Sequence, residues 1–315
     1  MMATENLTVT GTQPKSFEEL ICSPSLVDGL KKHASYLSTV NFLLSLTAFL
    51  GNSLILVALH KESSLHPPSK LLYRCLATTD LLIGLATQPL YTIHWISLVR
   101  EDWVLCRFAF DTAFILGYQL GIVSLLTLTA IGVDRLLALL LGLRYRRTVT
   151  LKRMYIIVAT FWVVSGIGAL LFILDYRLTF WYSCAVIISC LIISFASYTK
   201  IFYSLCHRRI QTQDRVQQQP RALNALNIAR YKKAVYSALW VQLALVICYV
   251  PYIVVAILIA SSETYPSQLI VSSRIVLVFV FFNSSLNPFL YCWKISEVRQ
   301  AVIETIRQAL CCPCS

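Results

Sequence analysis

The 315-residue chain is predicted to be an all-α membrane protein: a seven-transmembrane-helix bundle with an amphipathic surface helix after the seventh span. Three observations predict it. Hydrophobic residues make up 57% of the chain and charged residues only 13%, against roughly 25% charged in a soluble domain. Stretches apolar enough to cross a bilayer, which takes ~20 residues, recur seven times. They are too long for barrel strands and lack period-two alternation, and in lipid a helix satisfies its own backbone.

The spans fall at about residues 35–60, 70–97, 104–137, 153–174, 180–206, 231–260 and 268–293. Residues 1–34 form the amino-terminal tail, 35–293 the bundle, and 294–315 the surface helix with a Cys-rich tail. Placing the amino terminus outside puts 20 of the 27 Lys and Arg on the inner side, which then totals +15 against −2 outside, with Asp80 inside the second span as the remaining charge. Basic loops stay in the cytoplasm, so the amino terminus is expected outside and the carboxy terminus inside. The charges flank apolar spans instead of forming one soluble patch, so the net +12 is read as a topology signal and no nucleic-acid partner is expected. Inner basic residues such as Arg144, Arg146, Arg208 and Arg209 suit contact with a protein partner or with anionic membrane lipids. No basic-then-apolar stretch precedes Leu30, so the first span is expected to act as its own insertion signal.

Two kinds of modification are expected. Asn6-Leu7-Thr8 is a glycosylation acceptor on the outer side, whereas Asn283-Ser284-Ser285 lies inside the seventh span. Cys311, Cys312 and Cys314 follow an amphipathic stretch from Ile295 to Leu310, the pattern of palmitoylation beside a membrane-surface helix. Of the remaining cysteines, Cys22, Cys106 and Cys184 can reach the oxidising side, so one disulfide and one free thiol are expected.

Polar side chains inside the spans mark the interior. The first span carries Asn52, the second Asp80, the third Ser124, and the seventh Asn283, Ser284 and Asn287. Asn283 and Asn287 are four apart and share a face. Facing inward, these groups surround one carboxylate with oxygen ligands and hydrogen-bond donors, a setting suited to a sodium ion or to a purely structural network. Beyond that ion no metal or cofactor is expected. Asp134-Arg135 stands at the cytoplasmic end of the third span, where the two charges can hold each other until the arginine swings to another partner. Pro251, after Tyr249, and Pro288, after Asn287, interrupt spans six and seven and mark hinges. Two kinked helices beside a rotatable Asp-Arg pair make a bistable element.

In this order, one set per span, the residues resemble the rhodopsin-like (class A) G-protein-coupled receptors. The resemblance runs through Gly51-Asn52, Leu76-Ala77-Thr78-Thr79-Asp80, Trp103, Asp134-Arg135, Trp162, Tyr198, Cys248-Tyr249-Val250-Pro251 and Asn287-Pro288-Phe289-Leu290-Tyr291. It implies an outer ligand pocket, outward movement of span six, and a cytoplasmic cleft for a heterotrimeric G protein lined by Arg135, with Tyr198 and Tyr291 turning inward. It also implies that Asp80, Ser124, Asn283 and Asn287 form a sodium pocket favouring the inactive state.

The departures are specific. Leu136 follows the Asp-Arg pair where the family has Tyr, Tyr249 replaces a Trp, and Cys190 replaces the proline of the fifth helix, with Leu125 and Leu245 as its packing partners. Tyr231, flanked by Lys232, replaces an acid that clasps the arginine, so a weak inner lock and basal signalling are expected. The family's cysteine atop span three falls at Phe110, with Cys106 one turn above; a Cys106–Cys184 bridge is the expected outer disulfide if the helix tops approach within ~7 Å. The loop between spans four and five, about Asp175 to Phe180, is too short to form a lid, so an open pocket mouth is expected.

Missing residues narrow the ligand. Amine receptors carry an aspartate where Gly117 stands, opsins a lysine at Phe281, and adenosine receptors an asparagine at Ala256. Within the family the similarity is distant, to the adenosine and melanocortin type. Melanocortin receptors share the short outer loop and the missing proline, but their acidic cluster is replaced by Leu90, Phe110 and Phe114, with Asp111 as the nearest acid. The expected pocket is Tyr118, Gly121, Tyr252, Ile253, Leu277 and Phe281, with His94 and Arg274 near the mouth. Such a lining favours a lipid-like or small amphipathic extracellular ligand, with any anionic group meeting Arg274; the same residues also serve ordinary helix packing. A multi-span transporter is the competing function, but the chain shows no internal repeat and an odd number of spans. No intramembrane nucleophile or metal constellation suggests an enzyme.

Overall fold

A computed structural model describes residues 21–22, 24–61, 65–215, 221–262, 267–294 and 296–310. Asn6, Cys311, Cys312 and Cys314 lie outside these residues, as do the side chains of Arg208, Arg209, Tyr231, Lys232 and Tyr291. Among the described residues there is no strand. The helices are α1 (Pro24–Lys61), α2 (Pro67–Val99), α3 (Trp103–Leu141), α4 (Leu151–Leu174), α5 (Tyr176–Arg215), α6 (Arg221–Ser261), α7 (Ser267–Lys294) and α8 (Ser296–Leu310). Each of α1 to α7 contains a segment long and apolar enough to cross a membrane.

Local chemistry sets the helix ends. Two prolines open α2, where the missing N–H costs nothing. The Asp102 carboxylate accepts from the Leu105 N–H at 3.1 Å and caps α3, and the Thr150 hydroxyl does the same for Arg153 at the start of α4. Gly142, at φ 53°, ends α3 in a conformation other residues rarely adopt. The α4–α5 connection is shorter than expected: Asp175 alone separates the helices, and its carboxylate accepts from the Arg177 N–H at 2.8 Å.

α3 runs through the middle, packed on α2, α4 and α5, while α6 and α7 close the ring against α5 and α1. Small residues permit the closest approaches. A Cβ on Gly84 would lie 2.9 Å from the backbone of Phe49 and Ser45 on α1, and one on Gly51 would lie 2.9 Å from Pro288 on α7. α2 is not uniform: Ile83–Thr87 forms a π-helical turn, a feature often found at functional sites. Pro251 and Pro288 sit inside α6 and α7.

The outer disulfide corrects the expected pairing. Cys106 is bonded to Cys22, 84 residues earlier, with the Cα atoms 6.0 Å apart. Cys184 is a buried free thiol two turns inside α5, facing the Ile253 carbonyl of α6 at 3.9 Å. Because α5 begins directly after Asp175, Cys184 turns into the α5–α6 seam and away from Cys106. The bond pins the amino-terminal segment to the top of α3, and Ile21 and Cys22 are buried there. The short α4–α5 loop forms no lid.

Candidate functional site: a cavity, a polar core and a cytoplasmic clasp

On the outer half of the bundle an apolar cavity of about 50 Å³ lies between α2, α3, α5, α6 and α7. Tyr118, Gly121, Tyr252, Leu277 and Phe281 line it, together with Tyr91, Phe114, Gly117, Ile122, Ser183, Ile187, Tyr249 and Val280, which the sequence did not mark as ligand contacts. Phe114 stacks on Phe172 with centroids 4.2 Å apart, and Tyr91 meets Phe281 at 5.2 Å. These ring pairs bring extra geometric preference beyond their buried area.

Ile253, His94 and Arg274 do not line the cavity. Ile253 is buried with its carbonyl toward Cys184. His94 and Arg274, expected at an open mouth, are 1% and 6% exposed. The His94 Nδ1 stands 3.3 Å from the Cys106 carbonyl oxygen and 3.5 Å from its sulfur, directly under the disulfide. His94 and the two sulfurs lie within 4.8 Å of one another, but the sulfurs are bonded together and offer no thiolate to a metal. The Arg274 guanidinium lies over the Phe110 ring at 4.4 Å.

Below the cavity is the polar core. Asp80 is 0% exposed; the Ser124 hydroxyl donates to its Oδ1 at 2.9 Å and the Asn287 amide to its Oδ2 at 2.7 Å. The Asn52 amide donates to the carbonyls of Ala48 and Ser284, tying α1 to α7. The Asn283 amide donates to the Tyr249 hydroxyl at 3.4 Å. The structure therefore brings Asn52, Asp80, Ser124, Asn283, Ser284 and Asn287 together in the interior. The amide oxygens of Asn52, Asn283 and Asn287 are buried without a donor. Acceptors outnumber donors, which is the chemistry a sodium ion fits. Tyr249 belongs to both layers, lining the cavity and meeting Asn283.

At the cytoplasmic end, Asp134 and Arg135 do not hold each other. Asp134 is buried and accepts from the Ser69 hydroxyl at 2.8 Å and the Tyr145 hydroxyl at 2.6 Å. Arg135 donates through Nη2 and Nε to the Tyr73 hydroxyl at 2.8 and 3.2 Å. Neighbouring helical residues point about 100° apart, so each charge met a different wall of the bundle. Ser69, Tyr73 and Tyr145 were missed because their partners are far apart in sequence. Tyr198 is buried, with its ring against Gly132 of α3.

A seven-helix membrane bundle with an outer cavity, a buried polar core and a clasped Asp-Arg pair defines a transmembrane receptor architecture. Residues 51–291 match the family model described as 7 transmembrane receptor (rhodopsin family), and the chain belongs to that family. The mouse melanocortin receptor 5 is 25% identical over 283 residues, covering 85% of this chain and 82% of the relative. The human melanocortin receptor 5 is 25% identical over 281 residues with the same coverage. The pig melanocortin receptor 5 is 26% identical over 267 residues, covering 81% of this chain and 87% of the relative. These relatives are receptors and not enzymes, and the chain is a multi-pass membrane protein.

Proposed function

We propose that this receptor binds a lipid-like or small amphipathic extracellular ligand in the aromatic cavity and activates a heterotrimeric G protein at the plasma membrane. The amino terminus is outside, as the basic inner loops require. One observation carries the coupling: Tyr249 lines the cavity and also meets Asn283, whose neighbour one turn on, Asn287, donates to Asp80. A ligand that displaces the Tyr249 ring disturbs the polar core that joins α2, α3 and α7. Pro251, two residues beyond, lets the inner part of α6 swing outward and open the cytoplasmic cleft, where Arg135 leaves Tyr73 for the G protein. A sodium ion held by Asp80, with Ser124, Asn283 and Asn287 around it, favours the closed state. Asn6 carries a glycan, and Cys311, Cys312 and Cys314 carry palmitate that seats α8 on the inner leaflet.

The test is nucleotide exchange on purified G proteins by the receptor in lipid nanodiscs, screened against lipid, peptide and metabolite libraries. Exchange above the rate of empty nanodiscs, lost in Arg135→Ala, is the expected result. Ion flux through proteoliposomes without any exchange would instead favour a transporter.

A further inference from the structure

We propose that Arg274 stands above the apolar cavity as a second storey that receives the carboxylate of an amphipathic ligand. This rests on the cavity being the ligand pocket and names the chemistry of the ligand's polar end. The placement is read from three helices at once. On α7, Leu277 and Phe281 line the cavity, and Arg274 stands three residues before Leu277 on the same face. On α2, Tyr91 lines it and His94 follows one turn outward. On α3, Phe114 lines it and Phe110 lies one turn outward. The three outer residues touch, with the Phe110 centroid 4.4 Å from the Arg274 guanidinium carbon and 5.4 Å from the His94 ring. The polar storey thus sits one helical turn outward of the cavity lining on all three helices.

The charge balance of this storey is incomplete. Arg274 is buried and forms no ion pair among the described residues, and its Nη2 has no hydrogen-bond partner. An aromatic face returns only part of the hydration a buried guanidinium gives up, so the cation is held in wait for an anion. Two parallel N–H groups suit the two oxygens of a carboxylate. The His94 Nδ1–H donates to the Cys106 carbonyl, which leaves Nε2 as an acceptor, so the carboxylate's donors come from Arg274 alone. The aromatic lining of the cavity below offers the apolar chain of such a ligand its contacts.

The probe is decanoate, with decan-1-ol as the same chain without the charge, read as thermal unfolding of the full-length receptor in nanodiscs. Decanoate is expected to raise the wild-type midpoint at concentrations at least tenfold below those decan-1-ol needs. Arg274→Gln is expected to remove that preference and Arg274→Lys to keep part of it. Without probe, Arg274→Gln is expected to melt at or above the wild-type temperature, since it deletes an unpaired buried charge. A lower midpoint for Arg274→Gln without probe would show that the arginine is already paired and would overturn the proposal. Equal binding of both probes to wild type overturns the acid site and leaves the cavity reading standing, whereas binding of neither overturns both. Glu18 and Glu19 lie close before Cys22 in sequence. A carboxylate preference that emerges only in the Glu18→Gln/Glu19→Gln variant would mean that the chain neutralises its own arginine, which also overturns the proposal.

Discussion

Arg135 is held by Tyr73, whose phenol oxygen accepts at 2.8 Å from Nη2 and at 3.2 Å from Nε. A neutral phenol is a weaker hold than a carboxylate, and it sits on α2, not on the helix expected to move. Tyr73→Phe should release the guanidinium at a cost of about 1.5 kcal/mol, roughly a tenfold shift in the closed-to-open balance. Basal nucleotide exchange should rise accordingly. A variant indistinguishable from wild type in unliganded exchange would show that this bond does not restrain the receptor.

Tyr145 offers an independent probe of the same end. Its hydroxyl and that of Ser69 keep Asp134 buried away from Arg135. Tyr145→Phe leaves one carboxylate oxygen unsatisfied, which costs about 1–3 kcal/mol. The thermal midpoint should fall, and Ser69→Ala should produce a similar fall; an unchanged midpoint in both would remove the clasp as a stabilising feature.

The disulfide assignment is directly checkable. Peptide mapping without reduction should recover Cys22 linked to Cys106, while Cys184 remains a thiol that alkylates once the protein is unfolded. Cys22→Ser should lose about 2–4 kcal/mol of stability. Recovery of a Cys106–Cys184 peptide would contradict the fold at the outer surface.

Sodium should stabilise the receptor through Asp80. At fixed ionic strength, replacing choline by sodium should raise the wild-type unfolding temperature and leave Asp80→Asn unchanged. If wild type responds equally to sodium and choline, the buried amide oxygens of Asn52, Asn283 and Asn287 serve some other purpose.

Two glycines separate packing from ligand space. Gly84→Ala places a Cβ 2.9 Å from α1 backbone atoms that cannot move aside, and should destabilise by about 1–3 kcal/mol. Gly121→Ala meets nothing within 4 Å, so its stability should be near wild type while the cavity it lines shrinks. Comparable melting losses in both would place Gly121 in the packed core.

The sequence by itself determined the seven spans, because a bilayer leaves so few solutions for a backbone that run length alone locates them. It also determined which polar residues face the interior: Asn52, Asp80, Ser124 and Asn287 have no affordable place in lipid. Partners at long range were decided only by tertiary structure. Cys22 competes with Cys184 for Cys106 on nearly equal terms in the sequence, and the choice fell to the direction in which α5 presents its thiol. The neighbours Asp134 and Arg135 look like a pair along the chain, yet helical geometry turns them to different walls, where Tyr145 and Tyr73 wait. The π turn at Ile83–Thr87 and the burial of Arg274 over Phe110 likewise arise from how helices seat against each other, which residue spacing along one helix does not encode.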